Sequence, residues 1–198
     1  MNYKIIAIIM FMIGMAPVVL AQKLVNLKSI TLPNAFNNQK VSFSQFSNSK
    51  GIVLIFTSNY CPYSKLYENR IDNLASTYSE RGIQFILINS NNPTSSTDDS
   101  IEEMAKKANS KSYKYPYLAD KEQKLQSLLG ATKTPEVYLL KPHAEGFQVF
   151  YSGGVDDNPQ VAEDVSKHFL KDAMEALLSN KDPQVKTTRA TGCMIKKN

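Results

Sequence analysis

Apolar positions along the chain follow two periods. Gly51-Ile52-Val53-Leu54-Ile55-Phe56 is an unbroken apolar run, the mark of a central strand with both faces covered. From Tyr63 the period changes. Tyr63, Leu66, Tyr67, Ile71, Leu74, Ala75 and Tyr78 recur at three and four residues, which predicts a helix of about five turns. Pro62 suits its first position, where a missing N–H costs nothing, and Gly82 ends it. Ile83 to Ile88 reads as a second buried strand. Ile101, Met104, Ala105 and Ala108 predict a second helix, and Leu125, Leu128 and Leu129 a short third one closed by Gly130. Pro135 to Leu140 is a third core strand, Pro142 to Gly146 a turn, and Phe147 to Tyr151 a returning strand, so the two form a hairpin. Val161, Val165, Phe169, Ala173, Met174 and Leu177 predict a last long helix. Ahead of all these, Ile30-Thr31-Leu32 and Lys40-Val41-Ser42-Phe43 alternate about an Asn-rich turn and predict a small N-terminal hairpin.

Strands separated by helices imply parallel neighbours, and the late hairpin adds antiparallel ones. The fold class is therefore α/β, a mixed central sheet with helices on both faces. Asn89 to Ser100, NSNNPTSSTDDS, reads as one long polar loop. Ser179 to Gly192 is polar, carries Pro183 and reads as a wandering tail. The expected organisation is a leader over 1–21, one domain over 22–180 and a C-terminal tail over 181–198.

The leader rests on Ile5 to Ala16, an apolar run after Lys4 and before Pro17, with Val19-Leu20-Ala21 offering a cleavage site. That is the pattern of a secretory signal peptide cut after Ala21. An uncleaved anchor is the alternative, although about 17 apolar residues is short for a bilayer. Cleavage leaves a periplasmic or secreted protein with no stable membrane insertion. A net charge of +5 from scattered lysines makes no basic stripe interleaved with aromatics, which argues against nucleic acid as a partner. A chain of 198 residues can bury a core without disulfide staples. Its two cysteines therefore raise a chemical question.

Cys61 stands in Thr57-Ser58-Asn59-Tyr60-Cys61-Pro62-Tyr63-Ser64-Lys65, between the first core strand and the first helix. A helix N-terminus offers unpaired N–H groups and partial positive charge, which lower a thiol pKa and favour the nucleophilic thiolate. Lys65, one turn on, adds to this. A buried inert thiol is the alternative reading, and the polar turn around Cys61 argues against it, since a helix cap is rarely fully buried.

Cys61-Pro62 opening a helix, with Thr134-Pro135 opening a later strand, resembles the thioredoxin fold. FTSNYCPYSKLYE, TKTPEVYLL, Gly154-Val155-Asp156-Asp157-Asn158 and Gly192-Cys193-Met194-Ile195-Lys196 are similar to motifs of its redoxin or peroxiredoxin-like branch (alkyl hydroperoxide reductase/thiol-specific antioxidant-like). The likeness runs from about Ile30 to Lys196. It implies a cis Pro135 facing Cys61, with Thr134 offering backbone to an extended substrate or partner thiol. It also implies a thiol oxidoreductase with antioxidant chemistry, a peroxide or disulfide substrate and a dithiol protein as reductant. Cys61 is the nucleophile in this reading, and Ser58, Ser64, Lys65, Thr134 and Pro135 stand on the substrate side. Two departures matter. Ser64 occupies the position of the second cysteine of a C-x-x-C motif. Leu54 stands seven residues before Cys61, where peroxiredoxins carry proline, although Ser58 fills the position three before it.

Cys193 can be a resolving thiol that displaces an oxidised or mixed-disulfide Cys61. The ~13 residues after the last helix reach about 40 Å, so distance permits this and proves little. A static disulfide, or no pairing at all, is the competing reading. Neither His143 nor His168 has a metal-ligand spacing. Asp156, Asp157 and Asn158 read as a strand end and helix cap. There is no Gly-rich phosphate loop, and no cofactor is expected. Two functions stay open: a Cys61-dependent oxidoreductase, and a non-catalytic thioredoxin-like module that holds an extended segment in the Cys61/Pro135 groove.

Overall fold

The computed structural model describes residues 23–198; the proposed leader over 1–21 lies outside them. In chain order the elements are β1 (Leu24–Val25), β2 (Thr31–Pro33), β3 (Lys40–Ser42), β4 (Gly51–Phe56), α1 (Pro62–Ser79), β5 (Ile83–Asn89), α2 (Ile101–Lys111), β6 (Tyr117–Ala119), α3 (Lys124–Leu129), β7 (Lys133–Thr134), β8 (Glu136–His143), β9 (Gly146–Gly153), α4 (Phe169–Leu178) and β10 (Cys193–Met194). The main sheet runs β1-β9-β8-β4-β5-β6, with β2/β3 and β7/β10 as separate pairs. Strands β4, β5 and β6 are parallel; β8 runs against β4, and β9 runs against β8.

The unbroken apolar runs sit in the middle of the sheet because both faces are covered. Val53 and Ile55 of β4, with Phe85 and Leu87 of β5, pack with Tyr67 and Ile71 of α1, Met104 of α2 and Met174 of α4. The alternate residues Ile52, Leu54 and Phe56 face the other way, onto Leu125 and Leu129 of α3, Val41 and Phe43 by the N-terminal hairpin, and Ile195. The period-two rule thus divides each central strand between two cores.

The first three predicted helices and the two hairpins form as expected, and two expectations are corrected. The last helix begins at Phe169, while Ala162–Asp164 is a separate 3-10 turn. Asp157 explains the break. Its carboxylate accepts the backbone N–H groups of Ser166 and Lys167, each at 3.0 Å, so these donors are held in a loop geometry that competes with helix. Val161 is left exposed.

The C-terminal tail does not wander. Thr188 N–H donates to the Ser152 carbonyl at 3.0 Å, and Ile195 N–H to the Thr132 carbonyl at 3.0 Å. Cys193 and Met194 pair antiparallel with Thr134 and Lys133. Met194 points to solvent, and Ile195 is only 5% exposed within the second core. A polar composition concealed this, because the segment is tied down chiefly by backbone hydrogen bonds and two buried apolar residues, Ala190 and Ile195.

Ile195→Ala tests the docking. Losing a buried Ile side chain should cost about 2–5 kcal/mol in urea unfolding. A tail merely resting on the surface would lose less than about 0.5 kcal/mol.

Candidate active site around Cys61 and Cys193

Pairing of β8 against β4 sets Glu136 opposite Phe56. The residues just before β8 therefore lie beside the residues just after β4. This brings Thr134 and Pro135 to Cys61, far away in sequence. The Thr134–Pro135 peptide is cis, as the family resemblance implied. Cys61 Sγ lies 3.0 Å from the Thr134 carbonyl oxygen.

Cys61 is the N-cap of α1, in an extended conformation with Pro62 following. It is bonded to Cys193 in a disulfide, with a Cα–Cα separation of 5.9 Å and a sequence separation of 132. Cys61 is fully buried, contrary to the expectation of a solvent-touched cap. The covering group is the C-terminal strand itself. Cys193 is only half-buried, and it is flanked by Met194, which is 59% exposed. Gly192 is required here, since a Cβ at that position would collide with the Thr134 carbonyl. Lys196 places its ammonium 4.6 Å from the centre of the exposed Tyr60 ring, within cation–π range.

The other predicted site residues divide. Ser58 is buried and its hydroxyl donates to Asp99 Oδ2 at 2.8 Å. Ser58 Oγ in turn accepts the N–H groups of Tyr60 at 3.1 Å and Cys61 at 3.3 Å. Ser64, on the first turn of α1, is buried with no partner for its hydroxyl, and Thr134 Oγ1 shares that condition. Lys65 is exposed and lines an open cleft with Asn59, Glu68 and Asp98. Away from the disulfide, Asp156 accepts the Tyr67 hydroxyl at 2.7 Å and pairs with Arg70 at 2.8 Å.

One residue was missed. Asp99 is fully buried in what reads as a plain polar loop. Its carboxylate accepts from five donors: Ser58 Oγ, Asn59 N–H, Asn89 Nδ2, Asn91 Nδ2 and Ser96 Oγ, all within 2.8 Å. Burial works to raise its pKa, but the hydrogen bonds from Asn91, Ser96, Asn89 and Ser58 outweigh it and hold the carboxyl below its ordinary value. Lys121 adjoins the cluster, donating to Asn89 Oδ1 at 2.8 Å, and burial pushes its ammonium down to about 8. The available signal was position: the Asn- and Ser-rich run follows a parallel strand at its carboxyl end, where sites form in such sheets.

A model of the AhpC/TSA family matches residues 25–146. No curated protein matches the sequence. Among solved structures, the chain is similar to an uncharacterized conserved protein from Geobacillus kaustophilus (28% identity, TM-score 0.80, covering 90% of this chain and 94% of that one). It is also similar to a hypothetical protein from Sinorhizobium meliloti 1021 (27% identity, TM-score 0.79, covering 90% and 96%). Peroxidoxin BcpB from Mycobacterium tuberculosis shares the fold at 15% identity (TM-score 0.56, covering 80% and 98%). The fold is thus thioredoxin-like.

The Asp99 environment sets an acid limb. A carboxyl held below its ordinary value stabilises the fold fully above the unfolded carboxylate pKa of about 4, and this is lost as pH falls through the lowered folded value. Urea unfolding of wild type against pH should therefore show a loss of stability below about pH 4, and Asp99→Asn should flatten that limb. An unchanged limb would contradict the assignment.

Proposed function

The chain belongs to the AhpC/TSA family, and we propose that it is an exported oxidoreductase cycling between a Cys61/Cys193 dithiol and the Cys61–Cys193 disulfide. As a member of that family it is a thiol-dependent oxidoreductase of the redoxin type. The observation that carries the finer reading is one bond. A disulfide joins the N-cap of α1 to a strand laid on Thr134, the residue before cis-Pro135.

Cys61 is the nucleophile. Released from the disulfide, its thiolate faces the first turn of α1, whose N–H groups lack helical partners and favour negative charge. Cys193 is the resolving thiol and takes the place that Ser64 leaves without sulfur. In the oxidising half-cycle the Cys61 thiolate attacks a substrate disulfide, forms a mixed disulfide and expels one substrate thiolate. The Cys193 thiolate then attacks Cys61 Sγ, closes the internal disulfide and releases the second substrate thiolate. With a hydroperoxide, Cys61 would take the terminal oxygen to give a sulfenic acid and an alcohol, and Cys193 would expel that oxygen as water.

Two features favour disulfide over peroxide. The Ser58 hydroxyl proton is committed to Asp99, and Leu54, in the place of the peroxiredoxin proline, is a buried core residue of β4. Pro135 stands on the substrate side, while the Thr134 edge is taken by the strand carrying Cys193; Ser58 holds the turn, and Ser64 and Lys65 flank the nucleophile on α1.

Regeneration needs a partner dithiol. Its thiolate reaches Cys193 first, because Cys61 is fully buried and Cys193 only half-buried. Attack at Cys193 breaks the internal bond and expels Cys61 as thiolate. The partner's second thiol then attacks the mixed disulfide and leaves Cys193 reduced.

A second reading is a non-catalytic groove, favoured by Ser64 in place of a local thiol. In that case both cysteines would be indifferent to oxidant and reductant. Cys61→Ser and Cys193→Ser should each abolish dithiol-dependent turnover of a disulfide substrate, and wild type should turn over glutathione disulfide faster than cumene hydroperoxide. Acid-quenched wild type reacting with reduced glutathione should carry the adduct on Cys193. An adduct confined to Cys61 would reverse the order of attack, and equal inertness of all three proteins would favour the binding module.

Export is the remaining part of the proposal. It rests on the apolar run after Lys4 and the small residues at Ala21, and on the compatibility of a disulfide with an oxidising compartment. Among the described residues no helix is long and apolar enough to cross a membrane. The intact mass of protein from a secreting host should correspond to a chain starting at Gln22. A mass retaining Met1 to Ala21 would overturn the cleavage.

A further inference from the structure

We propose that Asp99 is a positioning residue that holds both cysteine-bearing segments at once and so presets the geometry in which the Cys61–Cys193 bond closes. The inference rests on the reading of the two cysteines as a redox pair. Asp99 touches neither sulfur and acts through two spokes.

The first spoke runs to Cys61. Asp99 Oδ2 accepts a hydrogen bond from the Ser58 hydroxyl at 2.8 Å, which turns the Ser58 oxygen lone pairs toward the N–H groups of Tyr60 and Cys61. Asp99 Oδ1 accepts the neighbouring Asn59 N–H at 2.7 Å. The whole turn that presents Cys61 is thereby pinned to one carboxylate.

The second spoke runs to the tail. Asn91 Nδ2 donates to Asp99 Oδ2 at 2.7 Å, and this fixes the amide so that Asn91 Oδ1 accepts the Lys196 N–H at 2.8 Å. The Lys196 carbonyl in turn accepts from Asn92 N–H at 3.0 Å and Gln123 Nε2 at 2.9 Å. Lys196 lies three residues beyond Cys193, so the strand carrying the second sulfur is clamped just past that sulfur. Ser96 and Asn89 supply the remaining donors and keep the carboxylate from turning away from either spoke.

A buried carboxylate needs several strong donors to offset desolvation. Here two of those donors, Ser58 and Asn59, come from the turn that carries Cys61, and a third, Asn91, holds the tail beyond Cys193 with its other amide atom. With both segments held, the reduced protein keeps its thiols near bonding distance, and closure has little chain entropy left to lose. Without the carboxylate the Asn91 clamp on Lys196 would loosen while the anchors at Thr188 and Ile195 remain, and closure would weaken.

The test uses full-length protein equilibrated in glutathione redox buffers, with amide hydrogen exchange as a second readout. Asp99→Asn keeps the shape but presents an NH₂ group to donors. It should lower the dithiol–disulfide closure constant at least tenfold and speed exchange at both Cys61 and Lys196. Ser58→Ala should speed exchange at Tyr60 and Cys61 only, and Asn91→Ala at Lys196 only, each with a smaller fall in closure. Tyr78→Phe, which removes a hydrogen bond to Glu175, serves as a control that lowers the melting temperature without moving closure.

A purely structural role for Asp99 would lower the melting temperature and leave closure within twofold of wild type, which overturns the proposal. If Asp99→Asn does not fold, Ser58→Ala and Asn91→Ala carry the same test, and closure within twofold in both overturns it. Should wild type fail to open and close its disulfide in glutathione, the redox-pair reading falls and this inference falls with it. If wild type cycles and the variants cycle alike, only the Asp99 role fails.

Discussion

The antiparallel register of β8 on β4 is the constraint from which the site follows. With Glu136 opposite Phe56, the chain leaving β4 and the chain entering β8 must lie side by side. Cys61 emerges from the first and cis-Pro135 from the second. Thr134, one residue earlier, then exposes an edge on which a further strand can pair, and the C-terminal segment takes it. Each step uses ordinary sheet physics. The outcome is a buried sulfur at a helix N-terminus, covered by a strand that carries a second sulfur.

Burial of this kind changes what a thiol can do. An open cysteine meets any reagent, whereas Cys61 in the disulfide meets the Thr134 carbonyl and Cys193. Access is set by the tail, and the tail is set by anchors on either side of Cys193. Thr188 binds to Ser152 and Gly154 before it, and Ile195 and Lys196 dock after it. The second cysteine is therefore delivered as part of a packed strand.

Much of this was legible in the residues. The apolar runs of β4, β5 and β8 and the three-and-four spacing of α1 mark their elements without help, because burial on both faces or along one stripe leaves a periodic trace. The strand-to-helix position of Cys61 was equally readable, and the motif order suggested a cis proline facing it. The Asp99 cluster was not readable. Its members are Asn, Ser and Asp in a loop, the composition of any turn, and only tertiary contact turns them inward. The tail was obscured for a related reason: backbone hydrogen bonds to Thr132 and Thr134 depend on what lies opposite and leave no mark on side-chain type. The start of α4 was missed because one carboxylate, Asp157, diverts two N–H groups that the apolar spacing assigns to a helix.

The disulfide has a topological consequence as well. It ties residue 61 to residue 193 and encloses β4's partners, all the helices after β4 and the second hairpin in one covalent ring. On a chain-entropy account, a ring of that size removes about 5 kcal/mol of freedom from the unfolded chain. It also makes the molecule indifferent to a single backbone break. A protease that cuts once anywhere inside the ring leaves two pieces still joined through sulfur, so a nicked oxidised molecule remains one object until a thiol arrives. Covalent integrity in this protein is thus itself governed by its redox state.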